Sequence, residues 1–585
     1  MKKFELLIKN GTIIDGSGEP KYKTDIGISK GKIIEIGNLE KSGANKTIDA
    51  KGYFVSPGFI DSHSHSDWTI LIHPTGDSKV LQGITSDISG LCGYSAAPIR
   101  REEWYKLLYV RMTVGWSMHY SAAAYNDAPL SYGRQVAVDW SSMGEYLGRI
   151  EETGIGINYG MLFGHGAIRY WTMGLEARQS TPEELEVMKK ITEKAMEEGA
   201  LGMSVALTGC PGCWASTSEL IELCKIVAKY NGVYMPHQRR GSAKGGLGLG
   251  SMERPVKETV EIAKQSGVRS CCSHTAIDSA TLKVLEDARA KGIDITFDMF
   301  PYPGSIASNL VYMLPHWLGR YRDQGFDFII KQLKDPEVRE RFKTIDYSNW
   351  IATTRSIPGT VVFEPQRNIS DPPWEHMQVQ KVWTRKNKKY VGKTFMEIAK
   401  MRGVDPWTAW FDMLCEEEGY VRWLDFLGSE SLEDMYSAKF EECIKVPYCC
   451  IESDSPISSP RGVTITSVDP RAYGTFPLVF SEYVRKRKII SWETAVKQMT
   501  SNPARAIGLK NRGLLKEGYF ADICIFNPET ITHKANWKNA LELSQGINHD
   551  IYPEGVAYTI VNGVIVNDNG KLTGALPGTV LRNTI

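Results

Sequence analysis

The chain reads as an α/β protein. The expected architecture is a (β/α)8 barrel of the TIM type, with a small β-sandwich domain formed from both chain ends and an inserted subdomain. Three observations predict this. From about residue 155, short apolar runs alternate with helices of about 10–15 residues, which implies a parallel sheet. The series is long and carries no dinucleotide-type glycine fingerprint, which favours closure into a barrel. The two chain ends share a different style, of short strands joined by tight turns.

The elements follow in order. Residues 4–56 alternate apolar and polar, with Asn10-Gly11 and Ser29-Lys30-Gly31-Lys32 as hairpin-type turns. Residues 513–567 look alike, with ADICIFN and then YTIVNGVIVNDNG around a second Asn-Gly at 562–563. Between them, INYGMLFGH (157–165) is a strand candidate. Thr181-Pro182-Glu183-Glu184 opens a helix with an N-cap, a proline at the first position and a capping glutamate. LGMSVAL (201–207) is the next strand, and Ser216 with Glu219 is a second capping box, opening a helix to about Lys229. VYMPHQ (233–238), VRSCCSHT (268–275) and DITFDMFPY (294–302) are strands separated by helices at 255–266 and 279–291. The pattern breaks over 306–395, read as an insertion, and resumes with VPYCCIESD (446–454) and helices near 478–487 and 491–500. A Trp-, Tyr- and Met-rich stretch at 100–145 is expected to decorate the barrel mouth. The expected division is 1–57 and 505–585 for the terminal β-sandwich domain, and 58–504 for the barrel.

Composition narrows the function. With 585 residues, 42% hydrophobic and 23% charged, the chain is of ordinary globular type and long enough for a large core. A net charge of +1 without long runs of one sign argues against nucleic acid, membrane surfaces and polyanionic partners. No signal peptide or membrane span is evident in the sequence. The eleven cysteines show no small-scaffold pattern, so reduced thiols and a cytoplasmic location are expected. The expected partner is a small-molecule substrate, and the sequence leaves room for a homo-oligomer.

The chemistry is concentrated in FIDSHSHSD (59–67). Side chains two apart on a strand share a face, so His63 and His65 aim together. His237 ends VYMPH, His274 ends VRSCCSH and Asp454 ends CCIESD. In a barrel such strand ends converge on the face that carries the active site. Four imidazoles and a carboxylate there make a divalent metal site of zinc type. A lone histidine at a strand end is more often structural, and an H-x-H pair alone is weak. It is the repetition in barrel order that carries the inference. Most other histidines fall outside this register; His165, which ends a strand in GHGAIR, is the one that could also line the site. Cys92 in SGLCGYSAAP is a further candidate. Position alone leaves it open between a thiolate ligand and a small buried hydrophobe. Cys210-Pro-Gly-Cys213 has redox spacing but opens no thioredoxin-like helix.

These residues resemble the amidohydrolase superfamily, and within it the N-acyl-D-amino-acid deacylase (D-aminoacylase) family, over nearly the whole chain. PGFIDSHSHSD (57–67), GLCGYSAAP (90–98), GHGAIR (164–169), DMFPYPGS (298–305), ESDS (452–455), DPRAYGTFP (469–477), MTSNPARAIGLKNRG (499–513), EGYFADICIF (517–526) and PGTVLR (577–582) carry the resemblance, together with His237 and His274. It implies one zinc held tightly by Cys92, His237 and His274. It also implies a second, looser position at His63 and His65, with Cys92 bridging in place of the modified lysine of hydantoinase-like relatives. Asp454 is implied as catalytic base, Tyr302 as a donor to the oxyanion and Arg471 as partner of the substrate carboxylate. The chemistry implied is attack on an amide by water that zinc has acidified toward a pKa of roughly 7, with Asp454 moving its proton to the leaving amine.

Two departures bear on specificity. Gly209 stands where the family has a substrate-contacting tyrosine, and Thr275-Ala276 follow His274 where a lysine is usual. They keep a second reading alive, the same machinery acting on a cyclic amide or hydantoin, an N-carbamoyl amino acid or a lactone. A catalytically dead barrel would be expected to have lost ligands, and all are present. Neither a dinucleotide nor a pyridoxal phosphate fingerprint occurs.

Overall fold

The computed structural model describes the chain except residues 1–2, 102–137, 175, 177, 208–210, 240–250, 303–306, 309–324, 344–373, 376, 383, 420, 425–429, 461–468, 545–546, 548–549 and 584–585. The N-terminal strands are β1 (Lys3–Ile13), β2 (Tyr22–Ser29), β3 (Lys32–Gly37), β4 (Gly43–Asp49) and β5 (Phe54–Pro57). Lys30 and Gly31 both have positive φ, 52° and 71°, so the β2–β3 hairpin turns as the sequence predicts. Asn10-Gly11 does not make a hairpin. It lies inside β1 as an irregularity in the β1–β2 register, between Ile8 and Gly11. Asn10 donates its backbone N–H to Asp25 and its side-chain amide to Asp49. A Cβ on Gly11 would sit 2.6 Å from Val55 Cγ2, so the glycine is there for close packing.

The middle of the chain supplies β6 (Phe59–Asp61), β7 (Ile84–Ser89), β8 (Asn158–Met161), β9 (Phe163–Gly164), β10 (Gly202–Ala206), β11 (Val233–His237), β12 (Arg269–Cys272) and β13 (Ile295–Met299). Next come β14 (Ala307–Ser308), β15 (Gln378–Lys381) and β16 (Arg422–Leu424), then β17 (Cys449–Ile451). The last strands are β18 (Ile523–Phe526), β19 (Val556–Val561), β20 (Val564–Asp568), β21 (Lys571–Leu572) and β22 (Val580–Leu581).

The protein is mixed α/β with parallel sheets. One six-stranded sheet runs β17-β13-β12-β11-β10-β9, and a four-stranded one runs β22-β8-β7-β6. Their strands are parallel and almost entirely buried, as expected of strands covered by helices on the far side. The two sheets meet at β8–β9, one extended run interrupted at Leu162, and again where Asp454 N donates to the His63 carbonyl at 3.0 Å. At the first seam, β22 lies beside β8, with Val580 opposite Tyr159.

Helices between the strands follow their caps. Pro182–Glu197 begins on a reciprocal capping box of Thr181 and Glu184. Ser216 caps Thr217–Lys229 by accepting from Glu219 N, but the expected box is only half formed. The Glu219 carboxylate is turned inward onto His165 and Arg169. The chain ends combine in a nine-stranded sheet through the antiparallel β5–β18 pair, over a core that includes Leu6, Ile8, Ile26, Val55, Ile523 and Ile560. Between β13 and β17 the three-stranded sheet β14-β16-β15 draws its central strand from Arg422–Leu424, beyond the expected insertion limit of residue 395. No described helix is long and apolar enough to cross a membrane.

Candidate metal and active site

Each expected ligand lies at or just beyond the end of a parallel strand. His63 and His65 follow β6, Cys92 follows β7, His237 is the last residue of β11, His274 follows β12 and Asp454 follows β17. Cys92, His274 and Asp454 have φ of 51°, 49° and 46°. L side chains disfavour this left-handed region, and several such residues together are typical of functional sites. Gly93, next to Cys92, is fixed by packing, because a Cβ there would lie 2.3 Å from Ala206 N.

The side chains converge. Cys92 Sγ is 3.4 Å from His63 Nε2, 3.4 Å from His237 Nδ1 and 3.5 Å from His274 Nε2. One thiol has a single proton and cannot donate to three nitrogens. A tetrahedral zinc, with Zn–S about 2.3 Å and Zn–N about 2.0–2.1 Å, spaces sulfur and nitrogen about 3.6 Å apart. The observed spacings fit that edge. Two donor groups share Cys92, one with His237 and His274 and the other with His63, His65 and Asp454. The thiolate and imidazoles are a donor set that zinc accepts.

A ring of carboxylates orients the imidazoles. Asp298, on β13, places Oδ2 3.2 Å from His63 Nδ1 and accepts from His274 N at 2.7 Å through Oδ1. Glu452 Oε1 is 3.1 Å from His274 Nδ1. These contacts leave Nε2 of both rings toward Cys92, the carboxylate–histidine pattern of metal sites. Sequence reading gave neither acid a role, although both stand in quoted motifs beside strand ends.

Asp454 faces the same cluster. Its Oδ1 is 3.0 Å from His65 Nε2, 3.6 Å from His274 Nε2 and 3.8 Å from His63 Nε2. Burial opposes its ionisation, yet His274, Arg471 and His65 hold its carboxyl well below the usual range. Burial pushes His274 well down, against the pull of Asp454. His63 is also disfavoured as a cation by burial, but Asp298 beside it prevails and raises it.

The comparisons agree with this geometry. A model of the amidohydrolase family matches residues 449–567. The chain is 28% identical to the N-acyl-D-glutamate deacylase of Alcaligenes xylosoxydans xylosoxydans over 99% of its own length and 97% of the relative's. It is 27% identical to the D-aminoacylase of the same organism, covering 99% and 98%. A crystal structure of N-acyl-D-glutamate deacylase from Bordetella bronchiseptica superposes with a TM-score of 0.70, at 25% identity over 99% and 100% of the two chains. That structure holds zinc and a phosphonate mimic of the tetrahedral intermediate. Over nearly its whole length the chain is similar to the D-aminoacylases among the amidohydrolases.

The remaining expected site residues divide. Tyr302 is buried, and its hydroxyl donates to the Ala535 carbonyl at 3.1 Å. Its hydroxyl proton thus has an acceptor within the chain. Arg471 is buried and multiply engaged. Nη1 donates to Asp454 Oδ2 at 3.0 Å, Nε and Nη2 reach Asp469, and the guanidinium lies over Phe300 at 4.6 Å. Gly209 and Cys210 lie outside the described residues. Thr275 donates its hydroxyl to Gln238 and is buried. His165 does not line the metal cluster; its Nε2 is 2.7 Å from Glu219 Oε1.

Proposed function

We propose that this protein is a zinc-dependent deacylase that hydrolyses the amide of N-acyl-D-amino acids to a D-amino acid and a carboxylate. The observation that carries the proposal is Cys92 Sγ standing 3.4–3.5 Å from three imidazole nitrogens with the Asp454 carboxylate beside them. The relatives named above supply the substrate class. We read the parallel strands as a closed barrel, supported by their order and by the Asp454–His63 backbone bond. We read the terminal sheet as a sandwich wrapped on its own apolar core.

Cys92, His237 and His274 would hold one zinc tightly, and His63 and His65, sharing Cys92, a second more loosely. Bound zinc supplies Lewis acidity, which polarises an acyl oxygen and acidifies water. The chain does the rest. Asp298 and Glu452 keep the His63 and His274 rings oriented. Asp454, held ionised, accepts a proton from the attacking water on Oδ1 and delivers it to the leaving nitrogen. Arg471 grips Oδ2 of the same carboxylate and leaves Oδ1 to face the cluster. The Arg471 cation is also the group a substrate carboxylate would meet, in competition with Asp454 and Asp469.

The test is an incubation of zinc-loaded protein with racemic N-acetyl, N-formyl and N-carbamoyl amino acids, followed by chiral chromatography. Free D-amino acids without their L-enantiomers are the expected result. No release from protein that holds zinc would overturn the proposal and direct the search to cyclic amides and lactones.

A further inference from the structure

Lys79 has no part in the reaction just proposed, yet it is a fully buried lysine close to the site. An ammonium has three donors. Here they reach Asp61 Oδ2, Ser453 Oγ at 2.8 Å and the Ser455 carbonyl at 2.7 Å. Asp61 is 18 residues from Lys79 in sequence, whereas Ser453 and Ser455 are 374 and 376 residues away. Asp61 closes β6, two residues before His63. Ser453 and Ser455 flank Asp454. Asp61 also accepts from Ser453 N at 3.1 Å and from Ser453 Oγ. Ser64 Oγ donates to the Ser455 carbonyl at 3.0 Å.

We infer that Lys79 is a positioning residue: by clamping Asp61, Ser453 and Ser455 together it fixes the left-handed turn at Asp454 and sets that carboxylate against His65. The inference rests on the reading of Asp454 as proton carrier. A non-glycine residue at φ 46° persists only where its surroundings over-determine it. Both neighbours of Asp454 are gripped by one ammonium, and the Asp454 N–H is tied to the His63 carbonyl. A loop held this way keeps the carboxylate in a single orientation, and a displacement of about 1 Å at such a group costs about a hundredfold in rate. The competing account is purely structural. In it, Lys79 only neutralises the buried Asp61 and Asp87, whose carboxylate lies 3.5 Å away.

Lys79→Met alone leaves those acids without a counter-charge and can fail to fold. Two other variants therefore carry the test: Lys79→Met combined with Asp61→Asn, and Ser453→Ala, which removes one bond of the clamp. Both are zinc-loaded and assayed with the racemic N-acetyl amino acids beside Asp454→Asn. We expect unchanged zinc content, KM within about threefold, and kcat lower by about thirtyfold or more in the double variant and about tenfold in Ser453→Ala. Hydrogen exchange should quicken about tenfold in peptides spanning 452–458 and stay unchanged in β10–β12. Unchanged kcat together with unchanged exchange over 452–458 would overturn the inference, as would a uniform rise in exchange across the molecule. If the double variant does not fold, Ser453→Ala decides. Full activity in Asp454→Asn would instead refute the reading of Asp454, and the exchange measurement, which needs no substrate, keeps the two failures apart.

Discussion

Arg471 donates from Nη1 to Asp454 Oδ2 at 3.0 Å, with the guanidinium buried and held on its other edge by Asp469. The fork meets two carboxylates at once, which a point charge cannot do. Arg471→Lys should therefore keep the positive charge but release Asp454. The expected outcome is a fall in kcat of about a hundredfold with zinc content unchanged. Steady-state kinetics on metal-quantified protein checks it, and wild-type kcat would show that the contact is dispensable.

Asp454→Asn keeps the size of the side chain and removes its basicity. The protein should fold and retain zinc while kcat falls by about 10²–10⁴-fold, the usual worth of a positioned proton carrier. Elemental analysis together with turnover separates this from loss of metal.

Cys92 is the donor common to both groups of the cluster. Cys92→Ala should lose the tightly bound zinc and all turnover, because the remaining imidazoles lack the thiolate. Chelator treatment of the wild-type protein should do the same, reversibly. Stoichiometric zinc of unchanged affinity in Cys92→Ala would mean that the thiol is only packing.

The buried pair of Glu219 and Arg169 predicts an acid limb of stability. Burial alone would raise the Glu219 carboxyl, but the bonds from His165 and Arg169 bring it down to about 2. A carboxylate depressed in the folded state contributes stability that is fully present above its unfolded pKa of about 4.3. That contribution is lost as pH falls toward the folded value of about 2. The contribution is about 3 kcal/mol, at about 1.4 kcal/mol per unit. Denaturant midpoints measured at intervals from pH 5 to about 2 should fall in the wild type and stay flatter in a Glu219→Gln variant, which starts from lower stability.

The residues legible in the sequence share one property. His63, His65, His237, His274 and Asp454 each stand at or just beyond a strand end, and local periodicity places a residue there without knowledge of the rest of the chain; Cys92 follows β7, but its position leaves ligand and packing open and only the resemblance implies the ligand. What the sequence hid depends on distant partners. Tyr302 is expected from the resemblance as a donor to the oxyanion, and its bond to a carbonyl 233 residues away is nothing the sequence announces. Arg471 is expected to face the substrate carboxylate, and its bonds to two carboxylates of its own chain are likewise invisible in the sequence. Asp298, Glu452 and Lys79 matter through contacts that no spacing rule announces. Asn10-Gly11 misled for a related reason. The dipeptide suits a hairpin turn, but the same left-handed preference at Asn10 serves an irregularity inside a strand, and only the pairing partner decides between them.

The seam at β8 has a consequence for how the molecule is made. Thr579 donates to Asn158, 421 positions earlier in the chain, and Val580–Leu581 then fill the space beside Tyr159 and Gly160. At about 5–20 residues per second of synthesis, β8 emerges roughly 20–80 s before its partner exists. Throughout that interval it presents a bare apolar strand edge, the kind of surface that recruits other nascent chains. A ribosome stalled before residue 580 would therefore leave β8 without its partner. The edge of β8 is therefore covered only after residues 579–581 have been made, however early its other neighbours form.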